Sequence, residues 1–175
     1  MKNRKLILTA ILAATMASSQ GAPESDGAKG RIVKETRHEI LTLPYFDVFD
    51  NIEFRVDGPN VTLMGQVTRP TLKSDAESAV KGIEGVESVN NQIEVLPLSP
   101  NDDRLRVALY RAIYGFSSLQ RYALPVIKPI RIIVKDGNVT LEGVVDSEAD
   151  KNVVKLRANG VRGAFSVTNN LRVEK

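Results

Sequence analysis

Side chains that could carry catalysis are scarce in this sequence of 175 residues. It has one histidine, His38, and no cysteine. That pair of facts excludes Cys–His nucleophiles and metal sites built from thiolates or several histidines. His38 lies between Arg37 and Glu39 in a stretch of helical periodicity, so a solvated helix face is expected for it. Acidic residues are plentiful, at 21, but no acidic pair recurs at matching places of the repeat described below. A glycosidase-like pair of carboxylates stays as the remote catalytic alternative. No catalytic residue, cofactor or metal is expected.

Other spacings invite a binding role. Gly82-x-x-Gly85 and Gly160-x-x-Gly163 are similar to loops that clamp a nucleic-acid backbone between two helices. Here they lead from a helix to a strand, which fits a helix stop and tight turn better. Asn91 and Asn169 recur on an otherwise apolar strand face, where a buried amide is expected to bond neighbouring backbone; ligand contact is the alternative. A third group joins bases to aromatics: Arg106, Tyr110, Arg111 and Tyr114, then Arg121 and Tyr122. Basic residues beside aromatic rings suit a membrane interface rich in anionic lipid. Ile133 and Val144, which stand where Arg55 and Gln66 stand in the first half, would add apolar contact. The alternative is that these eight side chains pack one half of the molecule on the other.

An internal duplication positions these residues. Shifted by 78, residues 52–95 fall on residues 130–173 without a gap, and 15 of the 44 positions are identical. Asn60-Val61-Thr62-Leu63-Met64-Gly65 matches Asn138-Val139-Thr140-Leu141-Glu142-Gly143. Two copies are too few for a solenoid, so they form tandem domains.

Each copy has the same plan. Ile52, Phe54 and Val56 alternate with polar residues, as a half-buried strand does. Asp57-Gly58 and Asp136-Gly137 are hairpin signals. Val61, Leu63, Gly65 and Val67 share the inner face of the next strand. Leu72, Ala76, Val80 and Ile83 follow at helical spacing, with Pro70 near the start. Val89, Asn91, Ile93 and Val95 line one face of a third strand. An amphipathic helix precedes each hairpin, marked by Ile32 and Ile40 in one copy and by Leu105, Leu109 and Ile113 in the other. The spacing predicts an α+β fold of two αββαβ modules, each a three-stranded sheet with both helices on one face; in the first copy the outer positions are nearly all polar, so that face is expected to be wet. Gly65 and Gly143 are expected to let a helix approach the sheet.

The ends and joints carry their own signals. Lys2, Arg4 and Lys5 precede a largely apolar run from Leu6 to Ala17 and a zone of small residues. This reads as a secretory signal over residues 1–21, cleaved between Ala17 and Ala22. The run is short of the roughly 20 residues that span a bilayer, although a retained anchor is the alternative. Without a cysteine the chain is not a lipoprotein, and no transmembrane segment is expected once the signal is removed. Residues 22–30 are expected to be a flexible lead-in, 31–97 the first module, 98–101 a proline-rich linker and 102–175 the second. Beyond residue 21 the chain holds 21 bases and 21 acids. A polyanion binder usually has a basic excess, so nucleic acid is not an expected partner. The charge is unevenly shared: residues 31–98 carry a net −4 and residues 101–175 a net +5.

The repeated pattern, Asn-Val-Thr-Leu-x-Gly-x-Val, a helix, then Gly-Val-x-x-Val-x-Asn-x-Ile-x-Val, resembles the BON domain family of exported bacterial proteins, including osmotically inducible ones. The first copy carries Gly85-Val86, Val89, Asn91, Ile93 and Val95; the second departs mildly at Ala164 and Leu171. The motif consists of turn glycines and core residues, among them Gly65, Gly85, Gly143 and Gly163, and so specifies fold more than function. The resemblance implies a periplasmic or outer-membrane-associated protein that binds phospholipid or an envelope partner, with no catalytic residue to carry over. An anionic phospholipid surface or an envelope protein, met mainly through the second copy, is the expected partner. A soluble scaffold or chaperone-like module that ignores lipid is the alternative.

Overall fold

The computed structural model describes residues 24–174, so the expected export signal lies outside the described residues. The first module runs α1 (Glu24–Leu41), β1 (Asn51–Asp57), β2 (Asn60–Val67), α2 (Pro70–Lys81), β3 (Ser88–Asn91) and β4 (Glu94–Val95). The second runs α3 (Pro100–Tyr114), a short 3-10 helix (Ser117–Ala123), β5 (Ile130–Lys135), β6 (Asn138–Val145), α4 (Glu148–Asn159), β7 (Ser166–Asn169) and β8 (Arg172–Val173). Two sequence boundaries shift. The lead-in expected to be flexible is helical from Glu24, because Gly27 and Gly30 weaken the helix signal there without breaking it. The prolines of the joint do not all act as linker either. Pro100 opens α3 behind Ser99, whose hydroxyl accepts from Asp102 N at 3.2 Å, a serine cap with proline at the first helical position.

The first hairpin closes through one left-handed residue, Gly58 at φ 57°, and the second through two. Asp136 and Gly137 have φ of 50° and 76°, the two positive values that a type I′ turn needs. β2 is the central strand, antiparallel to β1 and parallel to β3 and β4, and β6 has the same place in the second sheet. The third strand comes in two pieces in both modules. Its register is interrupted where Asn91 Oδ1 accepts from Ile93 N at 3.2 Å and Asn169 Oδ1 accepts from Leu171 N at 3.2 Å. A side chain occupies the place of a ladder partner, so the strand breaks and resumes.

The inner faces pack as the alternation requires. Val61, Leu63 and Val67 meet Leu72, Ala76 and Val80 of α2, with Ile32 and Ile40 of α1 closing the side. Leu109, Ile113, Ile130, Ile132, Leu141, Val154 and Ala158 form the matching core. Each fully buried aliphatic side chain contributes about 1.5–3 kcal/mol. The two glycines expected to admit a helix serve a different constraint. Gly65 and Gly143 have φ of 111° and 110°, and a Cβ would stand 2.1 Å from Asn51 O and 2.0 Å from Pro129 O. The close neighbour is the carbonyl of the adjoining strand.

The outer face of the second sheet, where Ile133 and Val144 replace polar residues of the first, is partly covered. β5 is buried on both faces, because the segment before β1 lies across it. Ile132 N donates to Val48 O at 2.9 Å, Arg131 Nη1 donates to Asp47 O at 2.9 Å, and the Arg131 guanidinium sits 4.5 Å from the Phe46 ring centre. Lys135 Nζ reaches Glu94 at 2.5 Å. Asp50, itself buried, shapes that segment by accepting from Thr68 N at 2.7 Å and from Asp47 N at 3.0 Å.

Candidate interaction surface

The eight residues singled out as a lipid or partner surface do not come together on the outside. Arg106 is only 4 % exposed. Its aliphatic stem lies in the core, and its guanidinium donates to Asp103 Oδ1 at 2.5 Å and to Val134 O at 2.7 Å, so it fastens α3 to β5. Tyr114 is buried, donating to Ile130 O at 2.6 Å and accepting from Ile130 N at 3.2 Å. Burial pushes its phenol far above the ordinary value. Tyr122 is buried as well. Its hydroxyl donates to Asp150 Oδ2 at 2.9 Å and accepts from Asp146 N at 2.9 Å, and burial again raises its pKa. Arg121 bonds Asp146 at 2.9 Å and pairs with Asp150, tying the 3-10 helix to the start of α4. Ile133 lies under the first module. Tyr110 is half-buried, edge-on to Phe49 at 6.4 Å, and Val144 is half-buried too. Arg111 alone of the eight is exposed without a partner among the described residues.

The glycine and asparagine positions have local roles. Gly82 and Gly160 end their helices at φ −77°, and Gly85 and Gly163 turn the chain at φ 88° and 99°. Asn91 Nδ2 donates to Lys73 O at 2.8 Å and Asn169 Nδ2 donates to Lys151 O at 2.9 Å, which holds α2 and α4 against the break in the third strand. His38 is exposed.

The structure gathers a different set along the outer side of α3. Arg104, Val107 and Arg111 succeed one another at the spacing of one helix face. Val107 also shares a hollow of about 340 Å³ with Tyr110, Val126 and Lys128. Val126 is 97 % exposed and Leu124 83 %, two apolar side chains projecting from the segment that follows Tyr122. At the other end Arg104 enters a groove of about 700 Å³ with Arg162 and Phe165. Phe165 is 83 % exposed and leans over Gly137, where a Cβ would stand 2.6 Å from its ring. Of the acids nearby, Asp102 accepts from Asp136 N and Gly137 N at 2.9 Å and Asp103 is held by Arg106, while Asp136 lines the groove and Asp47 the hollow.

The first module differs at the matching places. Glu84 and Glu87 stand where Arg162 and Phe165 stand in the second. Arg31 Nη1 closes on Glu84 at 3.3 Å, so that loop is acidic and paired. The signal for this difference was present in the repeat alignment, but it shows only when loop positions are compared as closely as strand positions.

Among the described residues no helix is long and apolar enough to cross a membrane, and no cluster of three or more His, Asp or Glu side chains could hold a metal ion. The architecture is that of a tandem α+β repeat protein with an asymmetric surface. A match to the BON domain covers residues 30–97 and 118–175, and the chain belongs to the BON domain family. The second match begins within the 3-10 helix, after α3. Osmotically-inducible protein Y of Escherichia coli (strain K12) is 27 % identical over 135 residues, covering 71 % of this chain. The chain spans 62 % of that relative's length. Solved structures of CdsD, a structural protein of the type III secretion system of Chlamydia trachomatis, resemble it at 14 % identity and a TM-score of 0.30, over 82 % of this chain and 93 % of that one. The C-terminal domain of CdsD gives 14 % identity and a TM-score of 0.29, over 82 % and 98 %.

Proposed function

We propose that this protein is a non-catalytic binding protein of the bacterial envelope that attaches to anionic phospholipid surfaces through its second module. The observation that carries this is the belt along α3. Arg104, Arg111, Arg162 and Lys128 lie beside Val107, Leu124, Val126 and Phe165, and the first module has Glu84 and Glu87 in place of two of them. Exposed apolar side chains rimmed by bases suit an interface whose surface is anionic and whose interior is apolar. Near such a surface each Lys or Arg contributes about 1 kcal/mol, so four together suffice for reversible attachment.

Export to the periplasm is part of the same reading, supported by the basic and apolar start of the chain. The name of the E. coli relative adds osmotic stress as the inducing condition. N-terminal sequencing of periplasmic material should give a chain beginning between Ser18 and Pro23; intact Met1 in a membrane fraction would contradict export.

Co-sedimentation with vesicles tests the lipid reading. Phosphatidylglycerol vesicles should pull the protein down at low salt and release most of it as salt is raised, because screening shortens the reach of exposed charges. Phosphatidylcholine vesicles should leave it in solution. Absence of binding to either vesicle at low salt would transfer the function to a soluble scaffold that binds protein.

A further inference from the structure

β1 and β5 are the same edge of the same sheet in the two modules, and among the described residues only β5 is covered along that edge. At β5, Ile132 N points away from β6 and donates to Val48 O at 2.9 Å, so a segment of the first module lies along that edge. Phe54 occupies the matching place in the first module, in the matching register: Phe54 faces Leu63 as Ile132 faces Leu141. Its N–H therefore also points away from the sheet. Among the described residues no backbone carbonyl receives it.

The space beside this edge is open and charged. All six residues from Asn51 to Val56 line a cleft of about 690 Å³, which α1 bounds on one side and the second module on another. Lys29, Arg37, Arg55 and Arg172 enter it, and none of the four is in an ion pair among the described residues. The two carboxylates present are bonded by neighbouring amides and pair with none of these bases. Glu53 accepts from Asn51 Nδ2 at 3.3 Å and Glu142 accepts from Asn170 Nδ2 at 2.6 Å.

We propose that the open edge of β1 takes up an extended, acidic segment of a partner polypeptide, which adds to the first sheet as a further strand. An unpaired edge offers a row of main-chain donors and acceptors that a strand can satisfy. Four cations against two carboxylates leave the cleft net positive, which favours acidic side chains on the incoming strand. At β5, Val48 O receives the outward-pointing Ile132 N–H and Arg131 Nη1 donates to the main-chain Asp47 O at 2.9 Å, so the equivalent edge already accepts main chain within this protein. The site lies on the first module, away from the α3 belt, and does not rest on lipid binding.

The test uses the protein and a capped synthetic peptide, Val-Asp-Val-Glu-Val-Asp, with two controls: the same peptide with proline at a central position, and the peptide with lysines for its acids. The acidic peptide should bind, and saturation should slow exchange of the Phe54 amide at least tenfold. Either control should bind at least tenfold more weakly, and so should the acidic peptide to the Arg37→Glu, Arg172→Glu protein. The peptide controls leave the protein unaltered, so they decide the matter even if that variant folds poorly. Lack of binding by the acidic peptide, equal binding by the lysine peptide, or binding that leaves Phe54 exchange unchanged would overturn the proposal. Protection of Phe54 without peptide would overturn it too, meaning a second copy if concentration-dependent and the chain itself if not.

Discussion

Gly143 has two independent reasons to be glycine. Its φ of 110° is one that L side chains rarely adopt, and a Cβ would meet Pro129 O at 2.0 Å. Because the obstacle is met by the Cβ itself, a small side chain suffices to provoke it. Gly143→Ala should therefore cost roughly 1–3 kcal/mol, comparable to Gly143→Val, read as a fall in the urea midpoint of the second module. Overpacking beneath a helix predicts otherwise: alanine nearly neutral and valine damaging. The sequence pointed to this position through its recurrence, but the cause depends on a carbonyl on another strand, which no periodicity reveals. Asn91 and Asn169 were easier to place, because an amide on an apolar face has few partners besides backbone. Arg106, Tyr114 and Tyr122 are harder to place, for the opposite reason. Each has an apolar body long enough to enter the core and a polar tip that finds a backbone group there, so the residue type alone suggests a surface.

At the scale of elements, helices and strands follow from spacing, while the connections between α3 and β5 do not. The 3-10 helix has no counterpart in the first copy and is held by side chains rather than by a repeated pattern. Its anchor is Asp150, which accepts from Ser147 Oγ at 2.7 Å and Tyr122 at 2.9 Å and pairs with Arg121. Burial opposes the charge of this carboxylate, but the bonds from Ser147 and Tyr122 and the Arg121 guanidinium outweigh it and lower its pKa from the ordinary 3.8. A carboxyl whose folded pKa is depressed contributes stability in full above its unfolded pKa and loses it as pH falls through the folded one. Asp150→Asn should thus lower the urea midpoint at pH 7 and make its decline below about pH 4 shallower than in the parent protein. Parallel acid limbs for the two proteins would show that this carboxylate does not anchor the 3-10 helix. The same tether explains where the exposed segment begins: Tyr122 is fixed inward, and the chain emerges only at Leu124.

At the scale of the molecule, the charge division between halves was visible in the sequence, and packing of one half on the other stood there as an alternative. Its form was not visible, since the Asp47–Asp50 segment and the outer face of β5 meet only in three dimensions. Ile133 is buried beside Gln66 and Leu96 of the first module, and the outer side of α3, outside the repeat match, is left as the place where bases and apolar side chains coincide. The central claim is that this belt, rather than net charge as such, attaches the protein to anionic membranes. Two triple variants of equal charge change separate these possibilities. Arg104→Glu, Arg111→Glu, Arg162→Glu reverses the belt, and Arg37→Glu, Arg55→Glu, Lys73→Glu reverses three bases of the first module. The decisive measurement is their co-sedimentation with phosphatidylglycerol vesicles at low salt, with folding checked by circular dichroism. The belt variant should lose binding while the first-module variant keeps most of it; equal loss in both, or retention by the belt variant, would contradict the account.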